Sequence, residues 1–324
     1  MRDCAAGARE TGDTGGMSLR RYVASGRGGS GAILPVFLAS LIVGVLVGAL
    51  EGLVSQWLSL FLVFPALIGV GAGAAAAAMV HRFKLRAPGL ALLIGFAGGA
   101  VGYTADHVVT YERFRSELID VFKREQPGAS DAEASAELDR QLAAKVGSPG
   151  FVGFLELAAR EGVRVKRTGE KDEHGMSFTG TAAWILWGAE LLIAAAVAAA
   201  MAWAKAREPF CEDCDAWYGT AMPVASGGAG SKEMYRQMTS ALEVGDVDGA
   251  ARAFFAPTRK PRAMFALSAA TCGRCGGDAW CRLDRVMTQK RAQRSKLATW
   301  LMTRSDLSQL TDSLGRAKSG AQGQ

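Results

Sequence analysis

Residues 33–80 read ILPVFLASLIVGVLVGALEGLVSQWLSLFLVFPALIGVGAGAAAAAMV, forty-eight positions with one charged side chain, Glu51. At 1.5 Å per residue a single helix of that length would be about 72 Å long. The hydrocarbon core of a bilayer is about 30 Å thick. One straight crossing is therefore excluded, and the block has to turn back on itself. The polar residues Glu51, Ser55 and Gln56 mark the bend, which predicts spans over 33–54 and 58–80.

Working outward, two more apolar blocks have the same length. One covers 88–107, opening at Pro88 and closing on Asp106 and His107. The other covers 181–204 and carries Trp184, Trp187 and Trp203 near its ends, where indole favours the headgroup region. The chain of 324 residues is 49% hydrophobic, and its charges lie between the blocks rather than on amphipathic faces. That distribution excludes an ordinary soluble domain as the whole protein.

The Lys and Arg residues beside the spans give an orientation. Arg20, Arg21 and Arg27 precede the first span, Arg82, Lys84 and Arg86 fill the second loop, and Lys205 and Arg207 follow the fourth span. With four spans these flanks share a side, and the basic excess assigns it to the cytoplasm. The expected location is the inner (plasma) membrane, multi-pass, with both termini cytoplasmic. Residues 205–324 carry 18 basic and 12 acidic residues, whereas 108–180 carry 11 and 13. The positive balance thus belongs to one side. Residues 1–32, rich in Gly, Arg and Ser, are expected to be a disordered basic N-terminus, with Met17 an alternative start and Cys4 without a role.

Within the spans, Gly44, Gly48 and Gly52 form a GxxxGxxxG run, and Gly95/Gly99 and Gly98/Gly102 repeat the spacing. Small residues let helix backbones approach in lipid. They serve packing inside the bundle or an oligomer contact. Glu190 is the one ionisable residue well inside the fourth span, and a charge at that depth marks a functional candidate. Glu51, Asp106 and His107 are expected to lie too near the outer surface to form a relay with it.

The segment 108–180 is patterned. Val108–Arg124 has Phe114, Leu118, Val121 and Phe122 at helical spacing. Ser130 and Glu133 make a capping box for a second helix bearing Leu138 and Leu142. A third helix is expected after Pro149, carrying Phe151, Phe154, Leu155 and Ala158 and stopping at Gly162. Val163–Arg167 and Met176–Thr179 flank a polar turn that includes His174, which suggests a hairpin. This is a small α+β extracytoplasmic cap, with Phe114, Phe122, Phe151 and Phe154 as its core.

After the fourth span come two CxxC turns, Cys211-Glu-Asp-Cys214 and Cys272-Gly-Arg-Cys275. A two-residue spacer aims both sulfurs at one metal, and two such turns can surround Zn²⁺ tetrahedrally. Between them, Lys232–Leu242 and Val247–Phe255 read as a helical hairpin broken at Gly245-Asp246. Ala263–Ala270 and Ala279–Val286 read as strands around the second turn, with Cys281 a small strand residue.

Strand, CxxC, strand resembles the zinc-ribbon class, over the knuckles and their flanks only. The resemblance implies structural zinc held by Cys211, Cys214, Cys272 and Cys275. The same four residues suit an iron–sulfur centre, and a CxxC pair also serves thiol–disulfide exchange; a structural disulfide pairing would need the opposite topology.

Arg282, Arg285, Lys290, Arg291, Arg294, Lys296 and Arg304, interleaved with Leu297, Trp300 and Leu301 and continued by Leu307, Leu310 and Leu314, read as a basic amphipathic tail, disordered from Lys318. Such a segment suits anionic lipid or a protein partner, and its charge also allows nucleic acid.

The expected fold is mainly α. A four-helix transmembrane bundle (33–107 and 181–204) carries the cap (108–180). A C-terminal zinc-ribbon-like domain (205–287, insertion 231–256) and the tail (288–324) follow. The expected function is non-enzymatic, a membrane protein with a cytoplasmic zinc module that binds a partner or regulates. A membrane thiol oxidoreductase and a small transporter using Glu190 are the alternatives.

Overall fold

A computed structural model describes residues 19–26, 30–54, 63–165, 176–228, 230–256, 263–275, 277–287 and 293–322. The bend at Ser55 and Gln56, the turn with His174, and Cys4, Met17, Arg27, Lys290 and Arg291 lie outside them. The chain divides into two compact units: Ser25–Arg207, and Glu208–Gln324 together with the N-terminal residues up to Ala24. The first strand, β1 (Arg20–Arg21), belongs to the second unit.

The first unit contains α1 (Ser30–Val54), α2 (Val63–Phe83), α3 (Pro88–Glu125), α4 (Asp131–Val146), α5 (Gly150–Glu161), the short strands β2 (Val163–Val165) and β3 (Met176–Phe178), and α6 (Thr181–Ala206). Four of these helices, α1, α2, α3 and α6, are long and apolar enough to cross a membrane. Their burial pattern is the reverse of a soluble core. Many buried positions are small (Ala72, Ala76, Ala91, Ala194, Ala195, Ala198 and Ala202), with Val36, Ile68, Val80, Ile94 and Tyr103 buried among them. Large apolar side chains point away, with Leu46 at 62%, Leu93 at 63% and Ile185 at 68% exposure. Water would penalise that arrangement, whereas lipid tails do not.

The glycine rows are used inside the bundle. A Cβ on Gly44 or Gly48 would collide with the carbonyl of Gly98 or Gly102 on α3, and one on Gly52 would press on Asp106. Gly95 and Gly99 stand in the same relation to Ala198 and Ala194 of α6. The helices touch backbone to backbone, which only hydrogen side chains allow.

One expectation needs correction. The sequence suggested a span ending at His107 and a separate helix over Val108–Arg124. The structure has a single helix of 38 residues, about 57 Å long and nearly twice the hydrocarbon thickness. Asp106 and His107 mark a change of surroundings, not a break in the backbone. Neither Gly nor Pro interrupts the chain there, and the hydrogen-bond ladder continues to the Gln126 cap, whose N–H bonds the Phe122 carbonyl.

The cap otherwise follows its pattern. Ser130 and Glu133 form both bonds of the capping box, and Gly147 ends α4 in the left-handed region at φ 94°. α5 stops at Gly162, and β2 pairs antiparallel with β3. Phe154 packs on Phe114 at 5.1 Å between ring centroids. Tyr111, which the pattern did not pick out, meets both Phe151 and Phe154.

The second unit contains β1, β4 (Phe210–Cys211), β5 (Ala216–Trp217), β6 (Met222–Gly227), α7 (Lys232–Glu243), α8 (Val247–Phe254), β7 (Ala263–Ala270), β8 (Ala279–Met287), β9 (Arg294–Met302) and α9 (Arg304–Gln322). The main sheet has the order β1-β9-β8-β7-β6, with antiparallel neighbours. The helical pair α7–α8 enters between β6 and β7, turning at Gly245 (φ 79°). α7, α8 and α9 bury Leu242, Phe254 and Leu310 against Phe265, Leu283 and Met302 of the sheet. Cys281 is fully buried in that core, and burial pushes its thiol up to about 12.

Here the reading of the tail is corrected. Residues 294–302, expected to be part of a tail beyond the cysteine domain, are a strand of its main sheet, and helix α9 continues past Lys318 to Gln322. Leu297, Trp300 and Leu301 fit a helical stripe as well as a strand with a bulge. The full ladder along β8, with its register shift at Leu283/Asp284, decides for the strand. Arg20 and Arg21, placed by composition in a disordered segment, pair with Leu301 and Trp300 on the edge of the same sheet.

Candidate metal centre

β4 and β5 form a two-strand hairpin with Cys211 at the end of β4 and Cys214 in the turn, which Asp215 closes at φ 46°. Phe210 and Trp217 face each other edge to face at 5.0 Å across the hairpin. The second turn, Thr271–Asp278, joins β7 to β8 in the main sheet. The hairpin is a separate sheet. Tyr218 N–H reaches the Pro209 carbonyl (3.0 Å), and Gly219 N–H reaches the Thr271 carbonyl (3.3 Å). The Tyr218 hydroxyl donates to the Asp278 carbonyl at 3.1 Å.

The four sulfurs of Cys211, Cys214, Cys272 and Cys275 lie within 4.8 Å of one another. Cys211 Sγ and Cys275 Sγ, one from each turn, are 3.7 Å apart. Tetrahedral Zn–S bonds of about 2.3 Å would place sulfurs about 3.8 Å apart. Three of the four side chains are buried and Cys275 is half-buried, and none is in a disulfide. Among the described residues this is the one group of such ligands close enough to hold a metal ion.

Burial pushes the Cys211 thiol up to about 11. Burial also acts to raise Cys272, but the backbone N–H groups of Arg274 and Cys275, together with the neighbouring thiols of Cys275 and Cys211, outweigh it and bring that thiol down to about 7. These N–H groups aim at the sulfur, as a turn built for thiolate requires. Arg274 Nη1 donates to the Cys214 carbonyl (3.5 Å) and Arg304 Nη2 to the Cys275 carbonyl (3.2 Å). Two guanidinium groups thus stand beside a site that, with a divalent ion, would carry two negative charges. Sequence reading did not find this use of Arg304, because it lies 29 positions from Cys275.

Glu190, the other candidate, sits elsewhere, in the first unit. Its Oε2 accepts from the Tyr103 hydroxyl at 2.8 Å. The Tyr103 ring lies 4.6 Å from that of His107, which meets Trp187 at 5.7 Å and whose Nδ1 is 3.2 Å from Asp106 Oδ2. The structure therefore joins residues that the sequence reading kept apart. Tyr103, Asp106 and His107 share one face of α3 by i, i+3, i+4 spacing, the signal that would have found them. The group spans about one helical turn along α3, roughly 6 Å. Tyr103→Phe is expected to cost about 0.6 kcal/mol, the average for such bonds in membranes, and no more than about 1.7 kcal/mol, read as a lower unfolding midpoint of the purified protein in detergent.

Comparison of the chain with family models, with curated proteins and with solved structures finds no match. Fold and site together define a class: a chain with four helices long and apolar enough to cross a membrane and a four-thiol centre able to hold a metal ion.

Proposed function

We propose that this is a non-enzymatic integral membrane protein whose cytoplasmic unit is stabilised by structural zinc on Cys211, Cys214, Cys272 and Cys275, and which binds a partner or regulates through that unit. The observation that carries the reading is the convergence of four thiols, from two turns far apart in sequence, within 4.8 Å of one another, with Cys211 and Cys275 at 3.7 Å. Four cysteines close the shell of a tetrahedral ion, whereas a catalytic zinc keeps a position for water.

The sidedness rests on two supports. The basic residues beside α1, α6 and the α2–α3 loop favour the cytoplasm. The main sheet includes both β1, ahead of α1, and β9, beyond α6. A chain that leaves one folded unit and returns to it crosses the bilayer an even number of times. Four crossings meet that condition. Counting the bent pair α4–α5 (46° between helices) as a fifth would break it. The inner membrane of a cell is the location this implies, with the cap 108–180 facing out. For a partner, the basic stretch from Arg282 to Arg304 suits anionic lipid or a protein surface.

The test is metal content together with the side of the cysteines. Full-length protein purified under reducing conditions is expected to hold about one zinc per chain. In sealed inverted vesicles, Cys211 and Cys275 should react with an impermeant thiol reagent only after zinc is chelated. Protein that holds no metal would sink the zinc reading. Labelling confined to right-side-out vesicles would reverse the topology and favour an oxidoreductase.

A further inference from the structure

The residues just ahead of α1 are tied to both cysteine turns, to the backbone of the first and to a carboxylate of the second, although the bundle separates them from those turns in sequence. Arg20 and Arg21 pair with Leu301 and Trp300, and Tyr22 N–H bonds the Thr299 carbonyl at 3.2 Å. The Tyr22 hydroxyl accepts from Phe210 N–H (3.1 Å) and donates to the Glu208 carbonyl (3.3 Å). Phe210 is the residue before the ligand Cys211, and Glu208 follows the last residue of the helical unit. On the other turn, the Arg20 guanidinium pairs with the Asp278 carboxylate, just beyond Cys275. Residues 20–22 thus hold the start of the first turn and the end of the second.

We propose that residues 20–22 form a strap whose docking depends on whether the centre holds its metal; this rests on the reading of the centre as a zinc site. The β4–β5 hairpin has two residues per strand and is not part of the main sheet. Four metal–sulfur bonds would be its strongest link to the second turn. Without them the hairpin loses that link, and a two-strand ribbon of that length is not stable by itself. Its movement takes Phe210 N–H and the Glu208 carbonyl away from Tyr22. The strap would then lose these two bonds of the Tyr22 hydroxyl, which tie it to the first turn, while the edge pairing with β9 and the Arg20–Asp278 ion pair remain. Coupling of this kind is reciprocal, so a docked strap also slows metal loss.

The geometry gives a direct readout, because strand pairing shields Arg20 and Arg21 from trypsin. The experiment uses full-length protein in detergent, zinc-loaded or stripped by a strong chelator under reducing conditions. Cleavage after Arg20 and Arg21 is timed by mass spectrometry, and zinc release is timed with a chromogenic chelator. Stripping zinc is expected to speed cleavage at these sites about tenfold, while sites in β8 and α9 stay protected. Tyr22→Phe should keep one zinc per chain but release it about tenfold faster, as loss of the hydroxyl's two hydrogen bonds implies. It should also expose the strap in loaded protein.

Cleavage indifferent to zinc in protein that demonstrably binds it overturns the strap and leaves the metal site standing. Equal acceleration at every site also overturns it, since zinc then holds the whole unit and not the strap. Protein that binds no zinc at all overturns both. Arg20→Ala, which removes the second anchor without touching a core residue, should reproduce the Tyr22→Phe result in weaker form; unchanged release in both variants counts against the proposal.

Discussion

Cys272→Ser is expected to empty the metal centre, taking zinc from about one per chain to near zero under a competing chelator. Structural zinc in small thiolate sites has apparent binding energies of roughly 10–16 kcal/mol at neutral pH, and a serine hydroxyl does not replace a thiolate ligand. The side chain is 1% exposed, so no surface cysteine can substitute for it. The apolar core of the second unit, built on Phe254, Phe265, Leu283 and Met302, is a separate cluster from the cysteines. The sheet should therefore persist while the β4–β5 hairpin opens. Hydrogen exchange is the measurement, with protection lost over 209–219 and retained over β7, β8 and β9.

Cys281→Ser is the control with the opposite signature. That side chain is fully buried in the apolar core, and an unpartnered hydroxyl there costs about 1–3 kcal/mol. Zinc content should stay at one per chain while the unfolding midpoint of the sheet falls. If both variants lost zinc equally, the ligand assignment would be wrong.

Gly48→Leu should have the second large effect, on the bundle. A Cβ at Gly48 would collide with the Gly102 carbonyl. That atom is backbone in the middle of α3 and has no rotamer to escape into. Relief requires α1 to move away along its whole contact with α3, which also opens Gly44 against Gly98. Overpacking commonly costs about 1–3 kcal/mol, and backbone-to-backbone contact belongs at or above the top of that range. The expected result is loss of folded, monodisperse protein on size exclusion in mild detergent. Gly188→Leu, on α6 with open space around its Cβ position, should behave as wild type. A Gly48→Leu protein as stable as the Gly188→Leu protein would mean that α1 and α3 are not packed through this row.

How far the sequence could be read depended on the range of the interaction. The four apolar helices were legible, because the length of an apolar block and the polarity of its flanks are local properties. The capping box at Ser130 and Glu133 and the stop at Gly162 were legible for the same reason. The cysteine turns were legible as a group that could hold a metal ion, because each is a four-residue unit with fixed chemistry. The helix running through Asp106 and His107 was misread because a polar pair looks the same at a membrane boundary and at a helix end. Strand β9 was misread because a bulge mixes the period of a strand with that of a helix.

Sequence alone thus determined the number of apolar helices, their approximate limits and the four thiols available to a metal, since covalent spacing and local hydrophobicity fix all of these. Only the tertiary structure decided that Gly44 and Gly48 meet α3, that Tyr103 and His107 join Glu190, and that Arg20, Arg21 and Tyr22 belong with a sheet and two cysteine turns beyond the last membrane helix. Those partners lie tens to hundreds of positions away. Their choice depends on which surfaces can close on each other once the helices and strands exist, which is a property of packing and not of any one stretch of chain.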